Sequence, residues 1–540
     1  MVNTFNDPNI VDFIQDLRTQ GIELWAEEDK LRYRGPKETL TPQVFSQIKQ
    51  YKSEILDVLR QDANSSKPYP LSLGQQALWF FYQLEPESSV YNMMYAVRLN
   101  PDLDVSILEQ AFNKMVERHP SLRTAYKTEN GQFVQQTCQD WQAQFIVTET
   151  DDTSQDYLDN WLAENADRPF NLGEGEIIRA HLLNRYSETD FSVEREKILL
   201  LVGHHIAMDL WSIDILMDEL CLLCKSMKES SAISLPTLNF QYRDYVHREQ
   251  KKLAAGTEIN QHWDYWRHKL SGELPVLNLP TDKPRPARQT YNSDKQHCIL
   301  SQEVSREIRE LAKKTGTTTY AIVLAAFQVL LLRYTSQEEL LIGCPMSGRT
   351  DPKLENIIGY FVNPVVLRVN LAGDPTFEEL LHQVRQALLE ALDHQEFPFP
   401  LLVEKLQLER DPSRPPLFQA MLVWDQSRVS ENKSLENARK EIVLDYMALE
   451  RRGGDFDLIL TFLDNGKYLQ GSMTYNIDLF ESDTITRMLK NFQTLITDIV
   501  ANPAKCISRL SLLTSSDKEE LIGNFNDPLD GIAFAKNEVC

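Results

Sequence analysis

The sequence predicts an α/β protein built as a small N-terminal unit followed by two lobes. Three observations carry that reading. A polar, proline-containing break falls near residue 65, and after it strand-like apolar runs alternate with amphipathic helices. A second proline-rich passage interrupts that alternation near its middle. At 540 residues the chain is long enough to bury more than one core.

The first segment reads as a compact unit. Asp7-Pro8 supplies an N-cap and an N1 proline, and Ile10, Phe13, Ile14 and Leu17 follow at helical spacing until Gly21 closes the helix. Ile22 to Trp25 and Lys30 to Tyr33 flank an acidic turn, which predicts a β-hairpin. Thr41-Pro42 opens a second helix, with Val44, Ile48, Tyr51, Ile55 and Leu59 on one face. Gln61 to Pro70 is polar, so the first domain is set at 1–62 and a linker at 63–70. A core of about sixty residues is marginal alone, which points to completion by a partner.

From Leu71 onward there are no repeats and no low-complexity tracts. Lys197 to Val202 reads as a strand and Val304 to Lys314 as an amphipathic helix. Leu279 to Arg288 is read as the connection between the lobes, giving domains at 71–278 and 279–525 and a tail at 526–540.

Charge and cysteine usage narrow the function. A net charge of −23 disfavours nucleic acid, which is held through Lys and Arg. No apolar run is long enough to span a bilayer, and the N-terminus lacks a basic region followed by an apolar one, so neither membrane nor secretion is expected and the protein reads as cytoplasmic. The seven cysteines have no framework spacing; Cys221 and Cys224 form the one CxxC, inside an apolar helical run where core packing is the expected role.

The sharpest local feature is His204-His205-Ile206-Ala207-Met208-Asp209, between the strand and a helical run from Ile213 to Cys224. Successive strand residues face opposite ways, so one histidine can face a cavity while the other supports the turn. A metal site lacks a third ligand at suitable spacing. A structural pair and an acyl-transfer site both remain open on local grounds.

The wider sequence favours acyl transfer, because HHxxxD resembles the signature of nonribosomal peptide synthetase condensation domains and of chloramphenicol acetyltransferase-like enzymes. The resemblance recurs in order along the chain: Leu71 to Trp79, Arg118 to Thr124, Tyr242 to Tyr245, Ile358 to Asn363, His394 to Phe399, and Arg410 to Gln419. Residues 1–62 resemble the docking domains of hybrid polyketide–peptide assembly lines. There the hairpin receives the C-terminal tail of a preceding protein, for which Lys30, Arg32, Arg34 and Lys37 give positive charge.

The resemblance implies two acetyltransferase-like lobes in a V-shaped pseudo-dimer, with His205 in a tunnel reached from both sides. It implies amide formation between two carrier-bound thioesters, on phosphopantetheine arms of partner carriers and with no cofactor or metal bound by this chain. Partners are an upstream donor carrier with its tail, a downstream acceptor carrier and an adjoining adenylation domain. His205 is assigned to the amine, either as general base or as orienting group, and His204 to structure. Asp209 is expected to pair with Arg349 or, second, Arg123, with oxyanion donors among the amides of Asp209 to Trp211. Trp211, Trp263 and Asn363 resemble supporting positions.

Two departures stand out: Ala77 replaces an arginine usual in the opening motif, and Leu210 replaces the glycine usual after the aspartate, so φ there is expected to be negative. The rivals are an ester-forming acyltransferase of the same fold, a silent recruitment platform and an epimerisation domain; the last fits poorly with a docking unit directly before Leu71.

Overall fold

The computed structural model describes residues 13–518 apart from 14–16, 18–21, 28–29, 37–38, 40, 53, 57–66, 140, 190–191, 232–234, 237, 239, 426–432, 448–453 and 515–516. The expected hairpin is present: β1 (Glu23–Glu27) pairs antiparallel with β2 (Lys30–Arg34). α1 (Pro42–Gln50) begins at Thr41, whose hydroxyl accepts the Val44 amide. Leu17, Ile22, Leu24, Ile48 and Ile55 form their shared core. The helix expected from Asp7 lies outside the described residues except for Phe13 and Leu17, and so do Gly21, Lys37, Leu59 and the 526–540 tail.

In chain order there follow β3 (Tyr69–Pro70), α2 (Leu73–Leu84), β4 (Asn92–Leu99), α3 (Val105–Arg118), β5 (Thr124–Glu129), β6 (Gln132–Thr137) and β7 (Gln144–Thr150). Next come α4 (Gln155–Ala166), β8 (Ile178–Thr189), β9 (Ser192–His204), α5 (Leu210–Lys228) and α6 (Tyr242–Ala255). The second half begins with α7 (Thr257–Lys269), β10 (Ser293–Ile299), α8 (Gln302–Thr315), α9 (Thr319–Thr335), β11 (Glu339–Met346) and β12 (Asn363–Asn370). It continues through α10 (Phe377–Asp393), α11 (Phe399–Leu406), β13 (Ala420–Asp425), α12 (Lys433–Ile442) and β14 (Val443–Met447). β15 (Leu458–Asp464), β16 (Leu469–Asn476) and α13 (Ser482–Ala501) complete it.

The chain divides into two compact units. One holds Met1–Ala254, Arg349–Phe361 and Ser430–Leu449; the other holds Ala255–Gly348, Val362–Val429 and Glu450–Cys540. The first contains a five-stranded sheet, β14-β4-β9-β8-β7, and a three-stranded sheet, β3-β6-β5. β9 is covered on both faces. Leu199 and Leu201 enter one apolar cluster while Ile198, Leu200 and Val202 enter another, which is why this strand reads as an unbroken apolar run.

The second unit has a six-stranded mixed sheet, β10-β16-β15-β13-β11-β12, parallel at β11–β13 and β13–β15. Its core helix is α9, where Ala321 to Leu331 are all buried. Among the described residues no single helix is long and apolar enough to cross a membrane.

The expected boundary at 278/279 differs from this division for two physical reasons. α7 packs into the second core through Trp266, which is 1% exposed. β14, late in sequence, pairs antiparallel with β4 and so returns to the first sheet. The passage Leu279 to Arg288 is not a free connection: Leu279 is buried in the second core, and Arg285 Nη1 donates to Asp457 at 3.0 Å. Pro70, placed in the linker by sequence, lies in β3 and pairs with Val134.

Candidate active site

The site starts where β9 ends. The His204 amide donates to the Ile177 carbonyl and the His205 amide to the Tyr91 carbonyl, both at 2.9 Å, so the two successive amides bond to the chain beside β8 and beside β4. His204 is 4% exposed among Tyr91 and Phe170, and its Nδ1 accepts the Ile206 amide at 3.1 Å. Burial, then the neighbouring His205, pulls its imidazole down to about 3, which keeps it neutral.

His205 is only half-buried. Its Nδ1 lies 2.7 Å from the Met208 carbonyl. A carbonyl can only accept, so Nδ1 carries a proton, and in the neutral ring the lone pair sits on Nε2. Tyr360 meets the ring edge-to-face, with centroids 5.0 Å apart.

The turn is braced from two sides. Gln75, in the first turn of α2, donates to the Ile206 carbonyl at 2.9 Å, while its Oε1 accepts from the Ser72 amide and from Gln135. Asp209 is the N-cap of α5: Oδ1 accepts the Ser212 amide at 2.8 Å, the Ser212 hydroxyl at 2.7 Å and Arg349 Nη2 at 2.9 Å. Oδ2 accepts the Phe361 amide at 3.3 Å. Arg349 Nη1 donates to the carbonyls of Leu354 and Ile357, and its guanidinium lies 4.2 Å from the Phe361 ring centroid.

The segment 349–361 is thus tied to the histidine turn by one buried ion pair and several backbone bonds. Trp211 adds another, from its indole N–H to the Glu355 carbonyl at 2.9 Å. Gly359 permits a close approach, since a Cβ there would stand 2.0 Å from the Tyr242 ring. The Tyr242 hydroxyl in turn donates to the Tyr360 carbonyl at 2.8 Å.

The other expected residues are placed as follows. Arg123 donates to the Cys138 and Glu117 carbonyls, so it is Arg349 that meets Asp209. Trp263 and Asn363 belong to the second unit and gather around residues 394–399. Trp263 stacks on Phe397, and Asn363 donates to the Gln395 and Phe397 carbonyls while accepting the Phe399 amide, each at 2.8 Å. Cys221 and Cys224 are buried in α5, and burial pushes the Cys221 thiol up to about 12. Ala77 is exposed; Leu210 opens α5 with no positive φ and is 50% exposed. Lys30, Arg32 and Arg34 are exposed along β2.

Sequence reasoning gave no role to Gln75 or Tyr360, and none in bracing the turn to Ser212. Gln75 and Tyr360 lie within the motif stretches and Ser212 just after HHxxxD, but hydrogen-bond partners 131 and 147 residues away cannot be read from local spacing.

Residues 65–522 match the condensation domain family, and residues 10–61 match the TubC N-terminal docking domain. The chain belongs to the condensation domain family. This condensation domain is 37% identical over 464 residues to a linear gramicidin synthase protein of Brevibacillus parabrevis, an alignment covering 85% of this chain and 9% of that protein. It is 31% identical to bacitracin synthase 2 of Bacillus licheniformis, covering 96% of this chain and 19% of the relative. The chain therefore spans a small part of these relatives' length. Among solved structures, the X-domain from teicoplanin biosynthesis superposes with a TM-score of 0.72 at 26% identity, over 82% of this chain and 97% of that one.

Proposed function

We propose that this condensation domain joins a donor acyl thioester to the amine of an aminoacyl thioester, with His205 Nε2 meeting the amine. The observation that carries the proposal is the contact of His205 Nδ1 with the Met208 carbonyl, which fixes the lone pair on Nε2. The amine nitrogen attacks the thioester carbon, the C–N bond forms and the C–S bond breaks. The donor carrier's phosphopantetheine arm leaves as a thiolate; the proton lost by nitrogen passes to Nε2 and from there to the thiolate, giving the free thiol and restoring the neutral imidazole. Orientation of the amine uses the same lone pair. Oxyanion donors are the amides of Leu210 and Trp211 at the start of α5, a 19-residue helix whose positive end lies there. Asp209 and Arg349 act by holding the turn.

The partners are a donor carrier upstream, an acceptor carrier downstream and an adenylation domain adjoining this chain. β2, with Lys30, Arg32 and Arg34 along it, receives the acidic C-terminal tail of the upstream protein by strand addition. A second reading, a silent recruitment platform, is favoured by the likeness to the X-domain, which has also been solved in complex with OxyB.

Intact-protein mass spectrometry of donor-loaded and acceptor-loaded carriers incubated with the chain separates these readings. The expected result is transfer of the donor acyl mass to an amine acceptor and return of the donor arm to free thiol. Transfer to a hydroxyl acceptor alone identifies an ester former, and no transfer to either supports the platform.

A further inference from the structure

A group of metal-ligating side chains lies in the second unit, apart from the histidine turn in sequence. Glu258 and His262 stand one turn apart on α7, and Glu396 lies between α10 and α11; one ligand atom from each falls within 4.8 Å of the other two. His262 Nδ1 lies 2.9 Å from Nδ1 of His394. Its Nε2 is buried and meets no hydrogen-bond partner among the described residues.

Two imidazole nitrogens bond only when one bears a proton. If His262 is the donor, its Nε2 holds a lone pair suited to a cation, and His394 is the outer partner that a metal-bound histidine ordinarily has. The opposite assignment would bury an N–H with no acceptor, which is costly.

The neighbours of His394 and Glu396 are held by a ring stack and by hydrogen bonds. Tyr265 stacks on the His394 ring at 4.0 Å, and the Trp266 indole donates to the His394 carbonyl. Asn363 pins both neighbours of Glu396 through their carbonyls.

We propose that Glu258, His262 and Glu396 bind a divalent transition cation, Zn2+ by the chemistry of the set. One imidazole and two carboxylates suit zinc, with water as the fourth ligand, whereas Mg2+ and Ca2+ favour oxygen alone. Bonds of about 2.0–2.1 Å place tetrahedral ligands roughly 3.3 Å apart, so the carboxylates must close by at most about 1.5 Å. Glu258 is exposed and Glu396 half-buried, which leaves both rotamers room to do so. The cation ties the start of α7 to the segment carrying Glu396.

The test is calorimetric titration of the untagged, chelator-stripped full chain with ZnCl2, in buffer containing millimolar Mg2+. One equivalent is expected to bind. His262→Gln and Glu396→Gln should abolish the stoichiometric heat, and His394→Phe should weaken it about 10–100-fold. Circular dichroism of Glu396→Gln should match the parent chain, because the change is isosteric at a partly exposed site. Absence of stoichiometric heat in the parent chain, or undiminished binding by a folded Glu396→Gln, overturns the site.

Discussion

Arg349 donates from Nη2 to Oδ1 of Asp209 at 2.9 Å, and the two side chains are 1% and 5% exposed. The pair links the helix start beside His205 to a segment 140 residues away. A buried pair of this kind gives little net stability over an apolar replacement, but removing one partner strands the other charge.

Arg349→Ala should therefore destabilise the first unit by about 3–5 kcal/mol, while Asp209→Asn with Arg349→Met should cost less than the two single changes summed. Urea unfolding followed by tryptophan fluorescence measures both. An Arg349→Ala chain as stable as the parent would remove the ion pair from the account of the turn.

Gln75→Leu tests the brace on the other side. It takes the Gln75 acceptor from the Ser72 amide and leaves the Ile206 carbonyl only its longer bond from the Tyr126 hydroxyl at 3.4 Å, at a cost of about 1–3 kcal/mol. Because the turn carries His205, single-turnover transfer should slow on the order of tenfold to a hundredfold. Lost stability with unchanged transfer would assign Gln75 to packing alone.

Glu249, on α6, accepts the Leu73 amide at 2.9 Å, and burial pushes its carboxyl from 4.5 up to about 7. Between those values the folded chain holds a proton that the unfolded chain releases, so stability falls as pH rises through the window and the full cost is present above it. Glu249→Gln keeps an acceptor oxygen and removes the charge. Its melting temperature should exceed that of the parent at pH 8, by the equivalent of about 1–2 kcal/mol, and the gap should close towards pH 5. A gap independent of pH would contradict this.

The docking hairpin is tested by reversing Lys30, Arg32 and Arg34 to Glu. Fluorescence anisotropy with a labelled acidic peptide should show at least about tenfold weaker binding, and binding by the parent chain should weaken with added salt. Equal binding by both chains would place the tail elsewhere.

Much of the fold was legible because its signals are local. The hairpin announced itself by two short apolar runs around an acidic turn, α1 by Thr41-Pro42, and β9 by an apolar run covered on both faces. What escaped was set by distant partners. β14 pairs with β4 across most of the chain, so the unit boundary could not be placed from composition. Asn363 looked like a supporting position by motif, yet its contacts describe a clamp on the 394–399 segment. The group of Glu258, His262 and Glu396 joins a helix to a remote loop, and no spacing rule reaches that far.

The most direct measurement is the single-turnover rate of amide formation by His205→Ala against the parent chain, with matched carriers and circular dichroism to verify folding. Loss of a positioned imidazole should slow transfer by about 100-fold or more. Product formed at the parental rate by a folded His205→Ala chain would contradict the account.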